Sequence, residues 1–359
     1  MAKRWPIKEK GDSSVLNESI QFPTSKKVAK NRLLKPPMTE SMSTWDSQDM
    51  SKSGFPTQQL INVYEKWSLG GFGLLVTGNV FVDPNSVLGP EMSFIHPNFD
   101  SYERKNAFRK SANALKRGGG LAIAQLSHGG RLTPIKINPH PWAPSSIRHE
   151  SKVKIKEIPP EKGFIVGIKV NTHEFGNKDF PSDEVVKICQ EFDKLGFDFI
   201  ELSGGTVEQM ILNADKIRES TKNREAFFQE YSRQIKPAVK NVKLYLTGGL
   251  RTVCGMNDVI NSGIADGVGI GRPCMAEPDI AKKILSGEVQ SVAYNVFEDS
   301  YMFYMMSSLV LLNQAAATSV DETGDDLTSG MSDYSQTCSK AILKISIVLK
   351  MIPKFMKRM

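Results

Sequence analysis

The sequence predicts an α/β fold of the TIM (β/α)8 type, one strand short of complete and followed by an irregular C-terminal extension. Amphipathic helical stretches alternate with short apolar runs, and glycines stand at the helix ends; short connections between such units make the strands parallel. The chain has 359 residues, enough to curl such a sheet into a barrel. The last two strand ends read Leu246-Thr247-Gly248-Gly249 and Gly269-Ile270-Gly271-Arg272-Pro273, at the place where barrels commonly bind phosphate.

The elements follow in order. A first strand covers 33–38. A helix over 56–68 is closed by Gly70-Gly71, and a strand at 74–80 follows. A helix over 103–117 ends at Gly118 to Gly120, before a strand at 121–126. The next strand spans 164–170. Ser182 caps a helix over 183–195 that carries Val185, Val186, Cys189, Phe192 and Leu195 at helical spacing and stops at Gly196. A strand at 197–202, a helix at 224–239, a strand at 242–246, a helix at 254–261 stopped by Gly263, and a strand at 267–270 complete the series. That makes seven strands where a full barrel has eight. The interval 127–163 is rich in proline and charge and carries no apolar helical period, so either one strand is cryptic or a βα unit is absent there. With the unit absent, strands 121–126 and 164–170 either pair directly, with altered shear and tilt, or leave two unpaired edges.

This gives a polar N-terminal extension at 1–20, a barrel at 21–290, an apolar helical segment at 291–317, and a flexible Ser/Thr/Asp/Gly-rich segment with a basic amphipathic tail at 318–359. The tail run 341–352 mixes Lys344 and Lys350 with aliphatics. It reads either as an interfacial membrane helix or as a solvated or core-packed extension; Pro353 and the short apolar face favour the latter.

Composition excludes several classes. The formal net charge is +7, but residues 341–359 hold Lys344, Lys350, Lys354, Lys357 and Arg358 with no acidic residue, so the body is nearly balanced and no nucleic-acid-binding surface is implied. The four cysteines are dispersed and no CxxC or His/Cys cluster exists, which argues for reduced thiols and against a metal site. The first residues are charged and lack the apolar run of a secretory signal. The expected setting is cytoplasmic.

Glycine turns let backbone amides approach an anion, and Arg272 adds a fixed charge and several donors. Other strand ends hold polar groups suited to a heterocycle: Pro36-Pro37-Met38-Thr39, Thr77-Gly78-Asn79, and Gln125 to Arg131, with Lys169 on the strand at 164–170. Gln125 offers both a donor and an acceptor, and Lys169 a positive charge near a ring that becomes anionic on reduction. The plainer alternatives are tight turns only, a structural His128, and a Lys169 paired with buried Glu201.

These motifs together resemble the NADH:flavin oxidoreductase family, the old yellow enzymes. The matching runs are Asn31-Arg32 with Pro37-Met38-Thr39, the glycine-rich run 71–79, Gln125 to Arg131, Val166 to Asn171 and the two phosphate turns; Glu201 to Thr206 and Arg218 to Thr221 resemble its NADH-oxidase-like branch. The likeness covers roughly residues 20–290 in order. It implies an FMN-bearing barrel, reduced by NADH or NADPH, that passes hydride to an electron-poor alkene, a quinone or oxygen. It also implies flavin contacts at Pro37, Met38, Thr39, Gly78, Asn79, Gln125, Lys169, Gly248, Gly249, Gly271 and Arg272. One departure stands out. The family's fourth strand ends in His-x-x-His or His-x-x-Asn with a nearby Tyr, which bind and protonate substrate, and that motif is not found here. No catalytic residue is therefore assigned. The resemblance is compatible with a working oxidoreductase with impaired substrate activation, or with a non-catalytic relative or shortened isoform. An unrelated aldolase or isomerase barrel fits the Pro37 and Gln125 motifs poorly.

Overall fold

The computed structural model describes residues 2–141, 163–171, 182–204, 229–298, 300–335 and 347. A single turn, α1 (Ser14–Asn17), leads into a small antiparallel hairpin, β1 (Ile20–Gln21) and β2 (Val28–Ala29). The barrel elements follow: β3 (Leu33–Lys35), α2 (Gln58–Leu69), β4 (Leu74–Phe81), a short β5 (Ser93–Phe94), α3 (Tyr102–Lys116) and β6 (Leu121–Ser127). After the gap come β7 (Gly167–Asn171), α4 (Ser182–Lys194), β8 (Phe199–Ser203), α5 (Gln229–Ile235), β9 (Lys243–Thr247), α6 (Val253–Asn261) and β10 (Gly267–Gly269). Four helices close the description: α7 (Pro273–Ala276), α8 (Ile280–Leu285), α9 (Tyr301–Ala317) and α10 (Val320–Thr323).

The helix starts are those a local reading expects. Thr57, Ser101 and Thr252 each accept a hydrogen bond from the amide three residues on, satisfying one orphan donor of the first turn. The first strand stops at Lys35, short of the expected residue 38, because Pro36 and Pro37 have no N–H to continue the ladder. The expected helix at 224–239 is seen as α5 followed by a 3-10 turn at Lys236–Ala238, where Pro237 breaks the α pattern; residues 224–228 lie outside the described residues.

Seven parallel strands form one curled sheet in the order β6-β4-β3-β10-β9-β8-β7, with β5 added beside the end of β4. Among the described residues β6 and β7 do not pair and each leaves one edge unpaired, the second of the two sequence alternatives; residues 142–162 lie outside the described residues. Edge position shows in burial. Leu126 of β6 is 66% exposed, whereas Leu74 and Leu75 of β4, paired on both sides, are fully buried.

Strand alternation sorts side chains into two layers. Leu33, Leu75, Val170, Ile200, Leu202, Leu244, Leu246 and Val268 point outward and pack beneath the helices. Leu34, Leu74, Val76, Phe199 and Tyr245 point inward and meet Ile20, Phe22 and Ala29 of the hairpin, which plugs the N-terminal end of the barrel. Each such side chain contributes about 1.5–3 kcal/mol on burial. Asp198 fixes the plug: its carboxylate accepts from the amides of Thr24, Ser25 and Val166.

One outward position breaks the apolar rule. Lys35 is fully buried under α2, with its ammonium 4.2 Å from the Trp67 ring, donating to Glu40 Oε1 at 3.1 Å and to the Val76 carbonyl at 2.9 Å.

The C-terminal part is more ordered than its composition suggests. α9 crosses α2, with Asn62 donating to the Ala316 carbonyl and Lys66 to Thr318. Residues 318–335, expected to be flexible, carry α10 with a Ser319/Glu322 capping box, and Leu327 and Tyr334 are buried. Apolar anchors and a local cap outweigh the polar composition there. Ile347 is buried against the same cluster; the rest of the tail, including Lys344 and Lys350, lies outside the described residues. No helix among the described residues is long and apolar enough to cross a membrane.

Candidate active-site cleft

Above the inner apolar layer, the inward positions turn polar at the C-terminal strand ends. They open into a cleft of about 560 Å³, within the range of small-molecule sites. Its walls include Pro36, Pro37 and Met38 after β3, Gln125 on β6, Lys169 and Asn171 on β7, and Ser203 on β8. Thr247, Gly248 and Gly249 after β9, and Gly271 and Arg272 after β10, form the opposite end.

That end combines two glycine turns with a fixed positive charge. Gly248 and Gly249 have φ of +138° and +75°, values that side-chain-bearing residues rarely adopt. Arg251 holds the turn: one guanidinium nitrogen donates to the Gly249 carbonyl at 2.9 Å, another to Glu298 at 2.6 Å, and the group stacks 4.6 Å over Trp5. The Arg272 guanidinium lies 4.3 Å from the Tyr304 ring, which α9 brings into the cleft wall. Burial pushes the Tyr304 phenol up to about 12, against the opposing pull of Arg272, so it stays protonated at neutral pH. The Thr247 hydroxyl is buried and has no hydrogen-bond partner among the described residues.

At the other end, Lys169 donates to Glu201 at 2.9 Å, the pairing that the sequence left as an alternative. Three of the sequence-selected residues, Thr39, Gly78 and Asn79, do not line this cleft; Thr39 and Asn79 line a separate, smaller one. Asn79 donates to Thr39 Oγ1 and accepts from Ser127, linking the β3, β4 and β6 ends. Gly78 donates its amide to Glu40 and Tyr64, and a Cβ there would lie 1.7 Å from Glu40 Oε2, so only glycine fits. His128 is exposed and accepts from the Gly130 amide, a local turn role. Pro37, Met38, Gln125, Lys169, Gly248, Gly249, Gly271 and Arg272 are thus brought together in one cleft. Asn171 and Ser203 were missed, although they lie two residues beyond Lys169 and Glu201 on the same inward face. Tyr304 and Glu298 carried no local signal, because they come from the C-terminal extension. Gly205, Thr206 and Arg218 to Thr221 lie outside the described residues.

No protein-family model matches the chain. It is 28% identical over 383 aligned residues to the NADH-dependent flavin oxidoreductase nadA of Aspergillus parasiticus, covering 84% of this chain and 86% of the relative. Since 84% of 359 residues is about 300, roughly eighty aligned positions of the relative have no counterpart here. Identity to the NADH-dependent flavin oxidoreductase iliE of a Neonectria species is 26%, covering 70% of this chain and 44% of that one. Among solved structures, a morphinone reductase variant in complex with tetrahydroNAD superposes with a TM-score of 0.53 at 14% identity, covering 77% of this chain and 92% of that one. This last likeness establishes the shared fold.

Proposed function

The chain is related to the NADH:flavin oxidoreductases, the old yellow enzyme family, and from that premise we propose that it is an FMN-dependent oxidoreductase. In this reading NADH or NADPH is the reductant, and the acceptor is a small electron-poor alkene, a quinone or oxygen. The observation that carries the reading is the cleft. It joins an anion-binding end at Gly248, Gly249, Gly271 and Arg272 to an apolar wall at Pro37 and Met38 and a polar end at Gln125 and Lys169. The glycine turns and Arg272 suit a phosphate. Pro37 and Met38 would flank the ring, with Thr39 next in the chain tied to Asn79 on the neighbouring strand end. Gln125 would meet the pyrimidine edge.

When bound, the flavin would supply two-electron redox chemistry, linking oxidation of the nicotinamide to reduction of the acceptor. The chain's own residues hold, orient and electrostatically tune that group. Cytoplasmic action belongs to the same proposal and fits the free thiols of Cys189, Cys254 and Cys274.

The test is to purify the protein, record visible flavin absorbance, and add NADH without oxygen. Stoichiometric FMN that bleaches within seconds supports a working oxidoreductase. A second reading, a non-catalytic flavin-binding relative, is favoured by the open edge between β6 and β7, where the family's substrate-activating strand would stand. It expects bound FMN that NADH fails to bleach. A colourless protein with no affinity for added FMN overturns both.

A further inference from the structure

Register places Lys169 of β7 directly opposite Glu201 of β8, so both side chains project into the barrel. The two residues differ in access. Lys169 lines the cleft with 32% of its side chain exposed, whereas the Glu201 side chain is 2% exposed and stands behind it. A carboxylate is thus stored within hydrogen-bond reach of the cleft's cation, out of contact with anything the cleft holds. Removing a carboxylate from water is costly unless it is paired. A glutamine at this position would fill the same volume and still accept a hydrogen bond from the ammonium. What only the carboxylate provides is negative charge, which offsets most of the field that Lys169 would otherwise project into the cleft.

We propose that Glu201 is a positioning residue that sets the redox poise of the bound flavin, by aiming Lys169 while cancelling most of its charge. This rests on the FMN reading above. A flavin ring gains negative charge on reduction, so a bare cation beside it favours the reduced form. A neutralised pair does so less and keeps the reduced flavin a stronger hydride donor.

The experiment measures the midpoint potential of the FMN-loaded protein and of three variants, with FMN affinity and a thermal melt recorded for each. Glu201→Gln is expected to raise the ratio of reduced-to-oxidised flavin affinity about tenfold, a shift of about +30 mV for a two-electron couple, with affinity for oxidised FMN little changed. Glu201→Asp keeps the charge and is expected to stay near the starting potential. The double variant Lys169→Gln/Glu201→Gln strands no buried charge, so it remains informative if the single variant misfolds. Because the intact pair is nearly neutral, its potential is expected close to the starting value. An unchanged or lowered potential in Glu201→Gln, an equal shift in Glu201→Asp, or a large shift in the double variant overturns the proposal. FMN bound with those potentials sinks this inference alone; failure to bind FMN sinks the functional reading with it.

Discussion

The two sides of the barrel are built to different standards. On one arc, β4, β3, β10 and β9 pair without interruption, and their inward and outward side chains are almost all buried. On the other side β6 and β7 each lack a neighbour among the described residues, and Leu126 and Ile135 are exposed. The cleft straddles this divide. Its anion end, Thr247 to Gly249 and Gly271 to Arg272, stands on the complete arc. Gln125 and Lys169 stand one on each open edge. In the FMN reading, holding a phosphate and reading a ring would be separable: the first would rest on closed packing, the second on strands that lack one partner each among the described residues.

The largest expected effect that tests this contrast comes from the complete arc. Glu40→Ala strands the buried Lys35 ammonium and is expected to cost about 3–5 kcal/mol in a urea melt. The double variant Lys35→Met/Glu40→Leu is expected to recover most of that loss; a double as unstable as the single would show that the pair is not what braces this side. Next comes the split between the two cleft ends. Arg272→Ala is expected to weaken FMN by about 1.5–3 kcal/mol, because it removes a charge-assisted contact, while leaving riboflavin, which lacks the phosphate, unchanged. Gln125→Ala is expected to weaken FMN and riboflavin alike, by about 0.5–1.5 kcal/mol. Calorimetric titration of both ligands distinguishes the cases, and equal losses for Arg272→Ala on both would break the division.

A third measurement needs no mutation. Amide hydrogens of β6 and β7 are expected to exchange faster than those of β9, since edge strands open at lower free energy. Uniform protection across all seven strands would mean that the edges are covered in solution. The smallest effect is Leu126→Ser, expected to change stability by no more than about 0.5 kcal/mol. The buried counterpart Leu244→Ala is expected to cost about 2–5 kcal/mol.

Much of this was legible in the chain because the signals were local. Glycines after amphipathic runs announced helix ends, and strand runs of apolar residues between them announced the sheet, even its shortfall of one strand. The two glycine turns after β9 and β10 were legible because paired glycines and an arginine can be read directly from the chain; the phosphate they are proposed to hold is a separate matter. Lys35 was not: a lysine in the middle of a strand reads as solvent-facing, and only α2, folding Trp67 and Tyr64 over it, makes it a core residue. Asn171 and Ser203 needed the inward face to be counted two residues further along each strand. Tyr304 and Glu298 needed tertiary structure, because about thirty residues of chain separate Arg272 from the α9 turn that brings the phenol to it.

The lacing around Trp5 has a consequence for how the protein is made. Trp5 takes part in backbone bonding with Val292, Lys3 accepts from the Tyr294 amide and donates to Ser335, and the Trp5 ring supports the guanidinium that holds Gly249. Residues 3–5 thus wait for residues 292–335, close to three hundred positions further along the chain, before this corner can assemble. Segments made early in translation can fold as they emerge, but the turn at Gly249 is braced only once residues 292–298 have been made. A nascent chain stalled before residue 291 is expected to hold its central strands while remaining unable to keep a phosphorylated cofactor.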